Sequence, residues 1–175
     1  MVRTEIWEFC DPDRCGTVPG IMEPGFTLER YAEYILDTPA IVALDADGVP
    51  SYDERTFGEI FADTPMTRAN VEHALSMFFN DVRLKTYIEI RPADSMPVPY
   101  VIAYAALIKG LFYCEASLDA LDRLFAGVTA ADIEAAKASL MEHGYRGSAY
   151  ERPVADLADE LMRLGEAGLE ELDAS

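Results

Sequence analysis

Apolar and polar positions alternate along this chain with two periods, and the places where one gives way to the other mark the predicted elements. Residues 2–9 read as a strand, and residues 11–24, broken by glycines and prolines, read as a long loop. Residues 27–36 have helical spacing, with Thr27 as N-cap and Pro39 closing the segment. Residues 41–44 form a short apolar strand, and 49–52 pairs back across a turn at Asp45-Ala46-Asp47-Gly48. Two helices follow over 54–62 and 67–79, the second opened by Thr67. Residues 83–91 read as one strand and 97–113 as an apolar helix. Helices are predicted over 117–125, 129–143 and 154–172, with Gly127 and Gly144 where C-terminal stops belong. The last is amphipathic, with Val154, Leu157, Leu161, Leu164 and Leu169 toward a core. A few strands among many helices predict an α+β fold in a single domain over 1–175, its sheet covered by helices on one side.

The strand over 83–91 carries the most information. Side chains of a strand alternate between faces. One face would hold Arg83, Lys85, Tyr87, Glu89 and Arg91, and the other Leu84, Ile88 and Ile90 with Thr86 as its polar member. Two readings of the charged face stand side by side. It is a solvated outer face laced with cross-strand ion pairs, or it lines a polar cavity on the concave side of a curved antiparallel sheet. In the second, the cations would hold phosphate or carboxylate oxygens and Glu89 a metal ion. The turn over 92–97 then leads straight into the apolar helix, which is how a rigid functional surface is supported.

Composition sharpens this. The chain has 32 acidic and 14 basic residues, a formal charge of -18. A nucleic-acid partner needs a basic surface and is therefore not expected. Three of so few cations on one strand face stand out for the same reason. Cys10, Cys15 and Cys114 fit no metal-ribbon spacing and read as free thiols of a reducing cytoplasm. The apolar segment over 96–114 contains Pro97, Pro99 and Lys109, which predicts a buried helix and no membrane span. His73, on a predicted helix among apolar neighbours, and His143, at a helix end, carry no assigned chemistry.

Several of these segments, in order, resemble a known family. Arg83-Leu-Lys85, Tyr87, Glu89-x-Arg91 and Ala93-Asp94 look like the R-L-K-x-Y-x-E-x-R-x-A-D segment of plant-type glutamate–cysteine ligases. Arg3, Ile6-Trp7, Asp13-Arg14-x-Gly16 and Pro19 resemble that family's R-x-H-I-W…D-R-T-G-x-x-P segment, and Phe26, Glu29, Tyr31-x-x-Tyr34, Leu36-Asp37 and Pro39 fit the helix after it. The resemblance implies the C-terminal part of a glutamine-synthetase-like catalytic fold, with only part of the catalytic cavity. It implies ATP-dependent joining of glutamate to cysteine through a γ-glutamyl phosphate, with Mg2+ as cofactor. It further implies that Glu89 is a metal ligand, that Arg91 and Lys85 are catalytic, and that Arg91 contacts the transferred phosphoryl group or the γ-carboxylate. Arg83 and Lys85 would face nucleotide phosphates, and Arg3, Trp7 and Tyr87 the glutamate. The family's other metal-binding glutamates lie upstream of this region, and Pro92 stands where a glycine is usual. A partial sheet would leave an open edge, so self-association is expected.

Overall fold

The computed structural model describes residues 2–44 and 48–174, so the turn expected at Asp45–Asp47 lies outside the described residues. The chain divides into two compact units, Val2–Ala93 and Asp94–Ser175.

The first unit runs α1 (Val2–Glu8), β1 (Cys15–Gly16), α2 (Leu28–Asp37), β2 (Val42–Leu44), β3 (Pro50–Tyr52), α3 (Phe57–Ile60), α4 (Arg68–Ser76), β4 (Phe79–Asn80), β5 (Val82–Leu84) and β6 (Ile88–Ile90). The hydroxyls of Thr27, Thr56 and Thr67 accept backbone N–H groups at the starts of α2, α3 and α4, each at the third residue onward. α2 and α4 bury Tyr31, Ile35 and Ala74 in a core with Val18, Ala40, Phe57, Met77 and Phe78. β2 and β3 pair antiparallel, as the sequence predicts.

Three expectations fail in this unit. Residues 2–9 form the helix α1. Ile6, Trp7 and Phe9 suit a strand by propensity, but a strand needs a partner, and context overrides propensity. The helix places Arg3 one turn before Trp7, with the guanidinium 6.0 Å from the indole centroid. Residues 83–91 are a tight antiparallel hairpin, with Arg83 opposite Glu89 and Leu84 opposite Ile88. Its tip, Lys85-Thr86-Tyr87, carries neither glycine nor proline, so the sequence gives no turn signal there. In place of the curved antiparallel sheet, the described residues of this unit form three two-stranded pairings, one of them the parallel pair β1–β4.

The second unit is helical: α5 (Val98–Phe112), α6 (Glu115–Leu124), α7 (Ala130–His143) and α8 (Val154–Ala174), with β7 (Ser148–Ala149) and β8 (Arg152–Pro153) as a small hairpin before α8. Gly127 and Gly144 take φ of 81° and 58°, the left-handed stops expected of them. α5 packs chiefly on α8. Gly110, Gly165 and Gly168 let the two backbones touch: a Cβ on Gly110 would strike the Gly165 carbonyl, and one on Gly168 would strike that of Gly110. The expected burial of α5 is half met. Gly110 and Leu111 are buried where α8 covers them, whereas Val98, Tyr100, Val101 and Ile102 in the opening turns are exposed. No single described helix is long and apolar enough to cross a membrane; α5 and α6 reach that composition only together, bent by 86°.

Candidate functional site

The hairpin β5–β6 organises the charged residues of the first unit. Directly opposite one another across it, Arg83 and Glu89 form a cross-strand pair: Arg83 Nε donates to Glu89 Oε2 at 2.7 Å. Arg83 is 6% exposed; its Nη2 also lies 2.6 Å from Glu89 Oε2, and its Nη1 turns to the end of α4. Arg83 Nη1 donates to the carbonyls of Phe78 at 2.7 Å and Leu75 at 3.3 Å. A buried guanidinium thus donates to backbone carbonyls at and just beyond the helix end.

Glu89 takes a second cation on its other oxygen. Arg91 Nη1 donates to Glu89 Oε1 at 3.3 Å. The Arg83 guanidinium, ahead of Arg91 and Lys85, holds the Glu89 carboxyl below the usual glutamate range. Both carboxylate oxygens therefore face guanidinium groups.

Arg91 lies between the hairpin and an aromatic pair. Trp7 of α1 and Phe79 of β4 stack at 5.2 Å, and the Arg91 guanidinium carbon is 5.9 Å from the first ring and 5.6 Å from the second. Arg91 Nε is buried without a hydrogen-bond partner. Arg3, Thr4, Asp81 and Pro92 border the same small hollow. A planar cation held on aromatic faces beside a second arginine suits a carboxylate or phosphate.

Of the residues singled out in sequence, the structure brings Arg3, Trp7, Arg91, Glu89 and Arg83 into one contiguous set. Lys85 and Tyr87 stand apart from it at the hairpin tip, Lys85 half-buried and Tyr87 58% exposed. The broken strand explains the split, because a three-residue tip ends the alternation that put all five on one face. Phe79 and Asp81 were not singled out. Their signal is there, at the two alternate positions before Arg83, but the predicted strand began too late to include them.

The other motif residues do structural work. Arg14, 8% exposed, pairs with Asp11 at 2.5 Å and donates to the Pro39 carbonyl, tying the long loop to the end of α2. Tyr34 donates to the Asp13 carbonyl at 2.7 Å, and the wholly buried Asn80 donates to the Tyr34 hydroxyl at 3.1 Å. Among the described residues, no group of three or more His, Cys, Asp or Glu side chains could hold a metal ion.

Residues 2–173 match the family model described as glutamate-cysteine ligase family 2 (GCS2). The chain is 30% identical over 178 residues to glutamate–cysteine ligase A, chloroplastic, of Oryza sativa subsp. indica, covering 97% of this chain and 36% of that protein. It is 30% identical over 176 residues to glutamate–cysteine ligase, chloroplastic, of Arabidopsis thaliana, covering 97% of this chain and 34% of that protein. The chain spans about a third of the length of these curated relatives.

Proposed function

This chain belongs to the glutamate-cysteine ligase family 2, and from that premise we propose that it serves ATP-dependent ligation of L-glutamate, through its γ-carboxylate, to L-cysteine. The product is γ-glutamylcysteine, the first step of glutathione-type thiol biosynthesis. The observation that carries this reading is the family match over residues 2–173, which spans every charged residue of the hairpin site.

In the proposed reaction a γ-carboxylate oxygen of glutamate attacks the terminal phosphorus of ATP and ADP leaves. The cysteine amine then attacks the acyl carbon, phosphate departs, and the amine loses a proton. Both steps gather negative charge on oxygen, which fixed cations stabilise. Arg91, held on Trp7 and Phe79, is assigned to the transferred phosphoryl group. Arg3 and Trp7, with Tyr87, are assigned to glutamate. Of the two cations proposed for nucleotide phosphates, Lys85 has its ammonium available, whereas Arg83 is committed to Glu89 and to backbone carbonyls. The three free thiols suit a reducing, cytoplasmic setting.

Magnesium, which the resemblance implies, does not find a site here by itself. Glu89 would offer one carboxylate, both of whose oxygens meet arginines, and the described residues supply no further cluster of ligands. No step of this reading is therefore routed through a metal.

ADP release with ATP, magnesium, glutamate and cysteine, each omitted in turn, tests the reading. Turnover that needs both amino acids is expected from a protein comprising this chain and the further length its relatives have. ADP release indifferent to glutamate in that protein would refute the assignment.

A further inference from the structure

The first unit holds a groove of which the ligase reading uses only the rim, Lys85. It consists of two hollows that share Val71, Leu75 and Lys85, one of about 250 Å3 between α2 and α4 and one of about 390 Å3 between α4 and the hairpin tip. The smaller hollow is aliphatic. Ile35 and Leu36 of α2 line it with Ala74 of α4, and Met66 and Leu84 close it. Tyr31 bears the one hydroxyl of its lining, and that oxygen already accepts the Leu84 N–H at 3.3 Å. The Tyr31 hydroxyl proton and the Lys85 ammonium are the side-chain donors this lining offers.

The larger hollow carries the charge. Arg68 is paired with Glu72 at 2.8 Å. Lys85 is half-buried, and its ammonium has no hydrogen bond or ion pair among the described residues. A half-buried ammonium that makes no direct ion pair, although its charge also acts on Glu89, is beside this apolar lining a receptor for charge and hydrocarbon together.

We propose that this groove binds an amphiphilic anion, its carboxylate or phosphate held by Lys85 and its aliphatic body filling the hollow lined by Ile35, Leu36 and Leu75. Such chemistry has two sources, an acyl carboxylate or a nucleotide whose base would enter the hollow. The lining favours the acyl chain, since beyond Lys85 and the Tyr31 hydroxyl it offers a base no side-chain hydrogen bond, while each buried methylene raises affinity about fourfold. The inference shares with the ligase reading only the premise that Lys85 takes an anion.

Titration of the full chain with octanoate, hexanoate, octanol and ADP, followed by amide NMR shifts of α2 and α4, is the test. Octanoate is expected to saturate at the groove amides, with hexanoate about fifteenfold weaker for two lost methylenes. Octanol is expected to be about tenfold weaker for the lost charge. Lys85→Gln should weaken octanoate about tenfold. Ala32→Leu, at an exposed position of α2 on the groove wall, should block it while the melting temperature holds. No saturable octanoate binding, or binding indifferent to both substitutions, overturns the proposal. ADP shifting the groove amides while octanoate does not also overturns it and gives the hollow to a nucleotide base. If Lys85→Gln abolishes octanoate binding and leaves ADP binding elsewhere untouched, the groove stands and the phosphate role of Lys85 in the ligase reading falls.

Discussion

The two units of this chain are held together by different physics. In the first, buried polar groups fasten short elements: Arg14, Thr38, Asn80 and Arg83 are all buried there. In the second, the described buried polar side chain is Ser117, and the long helices α5 and α8 meet through glycine backbones. The first unit therefore depends on a few directional bonds, each expensive to leave unmade. The second depends on shape, and fails when volume is added.

The contrast can be broken most sharply at Arg83. Arg83→Met leaves Glu89 with Arg91 alone and removes the guanidinium donor to the Phe78 carbonyl. Breaking one side of a buried pair costs about 3 kcal/mol or more. Trp7 is the single tryptophan in the chain, so indole fluorescence in urea follows the first unit alone. The expected result is a lower fluorescence midpoint, with the remaining helical circular-dichroism transition unmoved. Joint movement of both signals would show that the units unfold as one.

Gly168→Val should produce the mirror image. Its side chain meets the Ser117 Oγ at 2.6 Å and the Gly110 carbonyl. Overpacking of this kind costs about 2 kcal/mol. The helical transition should shift while Trp7 fluorescence does not; an unchanged melt would mean the helices separate freely.

The smallest effect sharpens the comparison through pH. In the folded chain the Glu89 carboxyl lies below its ordinary value, chiefly because of Arg83. A group depressed on folding adds stability above its unfolded pKa, about 4.3 for glutamate, and loses it as pH falls through the folded value. Fluorescence-monitored stability should therefore decline on acidification from pH 5 downward more steeply in the wild type than in Glu89→Gln. Parallel curves for the two proteins would remove Glu89 as the acid-sensitive contact.

How much of this was legible follows the same divide. α6, α7 and α8 lie within two residues of their predicted bounds, because periodicity, threonine caps and glycine stops are all local signals. α1 and the β5–β6 hairpin were misread because their deciding contacts are distant or unsignalled: Trp7 stacks on Phe79 far along the chain, and the hairpin turns on Lys85-Thr86-Tyr87. The candidate site was legible as a set of charges but not as an arrangement. Alternation put Arg83 and Arg91 in equivalent positions, whereas the fold buries one beneath the hairpin and lays the other on aromatic rings. The cross-strand ion pair of the alternative reading is present between Arg83 and Glu89, but Arg83 is buried and not on a solvated face.

The glycine contact between α5 and α8 also bears on how tolerance to mutation should be interpreted in this chain. Gly110, Gly165 and Gly168 leave no room for any side chain, so a survey of every substitution would score them as intolerant as the residues around Glu89. Selection against volume and selection for chemistry leave the same mark in such a survey. Here the two kinds of position fall in different units, and only a measurement that reports folding apart from turnover would tell an irreplaceable gap from an irreplaceable group.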